Sequence, residues 1–94
     1  MTKNTTKRYC LFRNITGKEV AVHDDDNMPV TFATAHEAGL ESLCELEEHI
    51  RQFKAGYRDY DGIMFHREEY IEEVGLLENG RVIDADGNEY GKRD

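Results

Sequence analysis

Residues 8–14 (Arg-Tyr-Cys-Leu-Phe-Arg-Asn) are rich in strand-favouring side chains. Residues 18–23 alternate, with Val20 and Val22 on one face. Between them, Ile15-Thr16-Gly17 supplies a glycine for a positive-φ turn position, and the pattern predicts a β-hairpin. Asp24-Asp25-Asp26-Asn27 reads as an acidic turn. Pro29 is the only proline and suits the edge or start of a strand. Val30-Thr31-Phe32-Ala33 then reads as a third strand, so the first third of the chain is expected to form an antiparallel meander.

The period changes at Thr34. Thr34-Ala-His-Glu37 has the form of a capping box, in which the Thr34 hydroxyl accepts from the Glu37 amide and the Glu37 carboxylate reaches back to the Thr34 amide. Gly39, Leu43, Leu46, Ile50 and Phe53 follow at spacings of 4, 3, 4 and 3, an apolar stripe flanked by Leu40 and Cys44. A long helix is predicted from about 35 to 55, ended by Gly56. Residues 57–62 read as a loop and 63–65 as either a strand or the lead into a helix. A second, shorter helix is expected from His66 to Val74, with Tyr70, Ile71 and Val74 on one face. Asn79-Gly80 between apolar pairs predicts a carboxyl-terminal hairpin, and Asp86-Gly87 a further turn. The fold class expected is α+β: an antiparallel meander, one long amphipathic helix packed on one face, a second short helix and a carboxyl-terminal hairpin.

Composition bounds this picture. The 94 residues suit one domain, with residues 1–7 a basic arm and 91–94 a polar tail. Hydrophobic residues make up 38% of the chain, enough for a modest core and too many for a wholly disordered segment. The start has no apolar core of the signal-peptide kind, and no apolar run approaches the ~20 residues that span a bilayer. Cys10 and Cys44 fit no metal-ligand spacing and read as free, mostly buried thiols, which suits a reducing, cytoplasmic setting.

Little in the sequence points to catalysis. Neither cysteine has a histidine at a spacing that would activate it, and His23, His36, His49 and His66 form no metal-binding helical pair. His23 beside Asp24–Asp26 could hold a divalent ion weakly. Asp84-Ala-Asp86-Gly-Asn-Glu resembles part of a calcium loop, but its glycine comes too early for the complete one. No glycine-rich phosphate loop is present. No catalytic, cofactor-binding or metal-ligating residue is therefore expected, and no cofactor.

Charge is more informative. The net charge is −8, from 20 acidic and 12 basic residues. Residues 23–50 hold eight acids and no lysine or arginine. At ~100° per residue, Glu37, Glu41, Glu45 and Glu48 share a ridge roughly opposite the apolar stripe. On the second predicted helix, Glu68, Glu69, Glu72 and Glu73 lie opposite its apolar face. With Asp24, Asp25 and Asp26 they make three one-sign patches, and Tyr57 and Tyr60 are candidate aromatic anchors beside them. An acidic surface repels phosphate backbones and anionic membranes, so neither is an expected partner. Lys3, Lys7, Arg8, Arg13 and Lys18, with Tyr9 and Phe12, offer a competing nucleic-acid reading.

In size, acidity, layout and lack of a catalytic motif the chain resembles the small phage-encoded inhibitors of bacterial defence, including anti-CRISPR proteins and DNA mimics. The resemblance covers the outline and no particular stretch. It implies a stoichiometric inhibitor, acting in the bacterial cytosol, that docks on a protein's basic, nucleic-acid-binding surface. The alternative is an accessory interaction module that binds through an apolar patch or a sheet edge, its acidity serving solubility alone.

Overall fold

A computed structural model describes residues 5–92, and for residues 64–67 it describes the backbone alone. The protein is α+β. Its strands are β1 (Thr6–Asn14), β2 (Lys18–Val20), β3 (Tyr70–Leu76), β4 (Val82–Ile83) and β5 (Glu89–Tyr90), with helices α1 (Ala35–Lys54) and α2 (Tyr60–Arg67) between β2 and β3. The sheet is antiparallel throughout, in the order β2-β1-β3-β4-β5. Among the described residues, no helix is long and apolar enough to cross a membrane.

The first hairpin forms as expected, with Phe12 opposite Val20 and Gly17 at φ 145°. The expected third strand does not. Instead of a continuous strand, isolated bridges join Phe32 to Tyr9 and Pro29 to His23, and the Val30 amide donates to the Val22 carbonyl. Phe32 and Tyr9 exchange both backbone hydrogen bonds, 2.8 and 2.9 Å. Since Ala21 also donates to Leu11, residues 22–31 are an excursion between two segments that flank the same edge of β1. The meander is β3–β4–β5.

The second correction concerns residues 66–74. The helix there ends at Arg67, and Tyr70–Leu76 is strand β3, in register with β1 from Phe12↔Tyr70 to Thr6↔Leu76. Residues 63–66 are helical, and the expected loop 57–62 already enters α2 at Tyr60. Local pattern favoured a helix, but a complete pairing with the longest strand outweighs local preference.

Three loops share one conformation: 24–28, 77–81 and 84–88. In each, the first residue's amide donates to the fifth's carbonyl, and the fourth's amide returns to the first's carbonyl. The fourth residue has positive φ: Asn27 at 63°, Gly80 at 86°, Gly87 at 89°. This is a type I turn closed by a glycine-type bulge. In two loops an aspartate opens the turn and one of its oxygens accepts two amides. Asp24 Oδ1 takes Asp26 and Met28, and Asp84 Oδ1 takes Asp86 and Asn88.

Strand alternation divides the sheet into two faces. Cys10, Phe12, Val20, Val74 and Val82 form the buried cluster on one face, with Leu76 and Tyr90 packed against it. The excursion belongs to this side: the Cys10 thiol donates to the Val30 carbonyl at 3.4 Å, and Arg8 to the Thr31 hydroxyl at 3.0 Å. The other face carries Leu11 and Ile71, and α1 lies there, with Gly39 against Ile71.

The helix α1 has the expected cap. Thr34 is extended (φ −135°, ψ 157°) and accepts from the Glu37 amide at 3.1 Å, while the Glu37 carboxylate accepts from Ala33, one residue earlier than anticipated. At the other end Gly56, at φ 85°, donates to Phe53 and Tyr57 donates to Gln52, the Schellman arrangement. Replacing Thr34 by Ala should cost about 1 kcal/mol of stability with the fold retained, read as a shift in the urea midpoint at unchanged m-value.

Candidate functional site

The orientation of α1 splits the stripe. The side turned to the protein is Ala38, fully buried, with Ser42, Glu45 and His49 half-buried. Of the stripe residues, Gly39 and Leu46 are half-buried, while Leu43, Ile50 and Phe53 are exposed, and so is flanking Leu40; Leu40 and Leu43 stand 54% and 57% in solvent. The cause is steric. Ala38 and Gly39 are small enough to let the helix backbone come down on Ile71, and that approach turns the larger side chains outward.

The carboxylate ridge is present on one flank of α1, partly engaged. Glu41 is exposed, and Glu37 is exposed while serving the cap. Arg51 donates to Glu48, with Nε at 3.0 Å, and Gln52 donates to it at 3.1 Å; these contacts hold the Glu48 carboxyl below its ordinary pKa. Glu45 is half-buried and takes part in an interaction of its own. Glu47, which the ridge arithmetic leaves out, is exposed between Leu43 and Ile50. Cys44, Glu45, Glu47, Glu48 and Arg51 line a shallow depression of about 450 Å³ beside the helix.

The second expected ridge dissolves with the helix that was to carry it. Glu68 and Glu69 precede β3, Glu68 exposed and Glu69 half-buried. Glu72 and Glu73 are neighbours on β3 and so point to opposite faces. Glu73 meets Lys7 at 3.2 Å, and Glu72 turns inward to Lys18 at 2.6 Å. Asp24, Asp25 and Asp26 are exposed on the excursion, which lies across the sheet from α1. Tyr57 is 87% exposed just beyond α1. Tyr60 opens α2 with its ring edge-on to Phe53, centroids 5.9 Å apart.

The basic residues of the first hairpin are consumed internally. Lys7 pairs with Glu73, Arg8 with Thr31, and Arg13 with the Ala21 carbonyl and Glu19. Phe12 is fully buried and cannot stack on a base. Lys3 lies outside the described residues.

Lys18 has the most elaborate setting. Its ammonium lies 2.8 Å from Asp84 Oδ2 and 2.6 Å from Glu72, with the Phe12 ring centroid 5.0 Å away. Tyr90 donates its hydroxyl to the same Asp84 oxygen at 2.8 Å, and the Asp84 side chain has no exposed surface. Burial works against both charges. For Lys18, its contacts with Asp84 and Glu72 outweigh that cost and raise its pKa. For Asp84, the bonds from Lys18, the Asn88 amide and Tyr90 outweigh it and push its pKa well below the carboxylate range. Burial and the Asp84 bond lift the Tyr90 phenol to about 12. These are structural roles. Of the aspartates that suggested cation sites, Asp24 and Asp84 each spend one oxygen on two turn amides, and among the described residues no group of three or more His, Cys, Asp or Glu is gathered to hold a metal ion.

No family model matches this chain, and neither does a curated protein or a solved structure.

Asp84→Asn should destabilise the fold by about 3 kcal/mol, the cost of stranding a partner of a buried pair. Asp84's folded pKa is depressed, so its contribution is complete above the unfolded value of about 3.9 and is lost as pH falls through that value toward the folded one. Urea titrations between neutral and acidic pH should therefore show a shallower acid loss in the variant than in the parent. Burial lifts the Cys10 thiol to about 11, whereas Cys44, expected to be mostly buried as well, is exposed because α1 turns that part of its surface outward. An aromatic disulfide reagent should titrate one thiol in the native protein and the second only on unfolding; two rapid equivalents would contradict the buried placement.

Proposed function

We propose that this chain is a non-enzymatic binding protein that docks on a basic surface of a nucleic-acid-handling protein complex and blocks it, as an anti-CRISPR or DNA-mimic inhibitor does. One observation carries the reading. The cations of the first hairpin are each paired within the chain, while Glu37, Glu41 and Glu48 run along one flank of α1, and Tyr57 and Tyr60 are exposed just beyond the end of the helix. Carboxylates one turn apart on a helix are about 6 Å apart, close to the spacing of successive phosphates. They can compete for lysines and arginines that otherwise hold a nucleic acid. The two tyrosines supply the large, semi-rigid contacts in which binding energy concentrates. Such a role belongs to the bacterial cytosol, where free thiols persist.

A second reading is favoured by Leu40 and Leu43, whose exposure fits docking led by apolar contact. Affinity capture from bacterial lysate, followed by elution with duplex DNA or salt, separates the two. Under the first reading the captured protein binds nucleic acid and is released by DNA and by raising salt through a few tenths molar. The Glu41→Gln/Glu48→Gln double variant should then capture at least tenfold less, about 1.4 kcal/mol of lost affinity. Capture indifferent to DNA, to salt and to these substitutions would overturn charge-led blocking in favour of the apolar surface.

A further inference from the structure

The outward seam of α1 has a regularity that the docking flank does not use. His36, Leu40, Leu43, Glu47, Ile50 and Lys54 follow one another at spacings of 4, 3, 4, 3 and 4, the heptad alternation of a helix that pairs with another helix. All six are exposed. At ~100° per residue the seam is centred roughly 150° from the buried Ala38–Ser42–Glu45–His49 side and about 120° from the Glu37–Glu41–Glu48 flank. A seam of this period buried against its own sheet would be ordinary core. Turned wholly to solvent, it is a helix face still in need of a partner.

We propose that the seam pairs with α1 of a second copy of this chain, antiparallel about a two-fold axis near residues 48–49. Charge decides both occupant and direction. The seam's apolar middle is interrupted by one acid and one base, Glu47 and Lys54, seven residues apart. Parallel pairing would set Glu47 on Glu47 and Lys54 on Lys54, which is unfavourable. Antiparallel pairing places each Glu47 opposite Ile50 of the second copy and one turn from its Lys54, within reach of an ion pair, twice over by symmetry. Leu43 then packs on the aliphatic stem of Lys54. Antiparallel alignment also sets the two helix dipoles in opposition.

In this register the paired stretch runs from Leu43 to Lys54, about 18 Å of helix, and Leu40 faces Tyr57 just beyond the second copy's helix. A helix pair of that length falls below the standard size of specific interfaces, so association is weak and shows toward the upper end of the concentrations tested below. Pairing leaves the Glu37–Glu41–Glu48 flank of each copy in solvent. The dimer therefore stands or falls independently of the function proposed above.

Sedimentation equilibrium of the full chain from about 1 μM to about 1 mM tests the pairing without any partner protein. A monomer–dimer equilibrium is expected. Leu43→Glu should remain monomeric throughout with an unchanged far-ultraviolet circular dichroism spectrum, since the side chain is already in solvent. Glu47→Lys and Lys54→Glu should each weaken association about tenfold, and the charge-reversed E47K/K54E variant should recover wild-type association. A wild type that stays monomeric at every concentration would overturn the proposal. So would a dimer insensitive to Leu43→Glu, or a double variant no better than the single ones.

Discussion

Everything in this fold hangs on the contact between Lys18 and Asp84. Lys18 starts β2, at one edge of the sheet, and Asp84 follows β4, three strand positions away. Strands lie about 4.8 Å apart, so in a flat sheet the two backbones would be about 14 Å apart, beyond the reach of the side chains. A separation of 2.8 Å therefore needs the sheet to curl or twist enough to bring the two side chains together. The same face holds the core: Phe12, Cys10 and Val82 are completely buried on it, with the excursion packed against Cys10.

The ion pair survives burial because every neighbour supports it. Tyr90 donates to Asp84, Glu72 adds a second acid to the lysine, the Phe12 and Tyr90 rings lie near the ammonium, and turn amides occupy the other Asp84 oxygen. A buried pair contributes little net stability unless such groups offset its desolvation. One aspartate thus holds the sheet in that shape and opens the β4–β5 turn. The opposite face needs only modest cover, and α1 supplies it through its small residues. That economy leaves the long helix with a side chain array facing water that a larger core would have absorbed.

The parts legible in the sequence were those specified by neighbouring residues. The Thr34–Glu37 cap, the Gly56 stop, the β1–β2 hairpin and the Asn79-Gly80 turn depend on contacts within a few positions, and all four appear in the structure. What was illegible depended on distant partners. Tyr70–Leu76 carries a helical apolar pattern, yet its true partner is β1, some sixty residues earlier. Glu72 counted as one of four solvent-facing carboxylates until Lys18 claimed it. The stripe on α1 was real as a period, but the period does not say which side meets the sheet. Ala38 and Gly39, adjacent small residues within the helix, were the available signal for that choice.

The candidate surface follows from the same distribution. An acidic chain of this size could have spread its twelve cations over its exterior to balance the field. Instead Lys7, Arg8, Arg13 and Lys18 are held by partners across the sheet and excursion, while Arg51 and Arg58 are held along and just beyond α1. Lys18 and Arg13 are drawn away from the acidic exterior, whereas exposed Lys7 and Arg51 offset single acids, Glu73 and Glu48, and leave Glu41 uncompensated among the described residues. The helix is left with three distinct sides: small residues on the sheet, carboxylates on one flank, and a heptad seam opposite the sheet with one charge of each sign. Solubility alone would be served by any scatter of carboxylates, and it gives no reason for leucines to recur at helical-pair spacing in water. The two uses proposed for the helix, docking by its flank and self-pairing by its seam, address these two patterns separately.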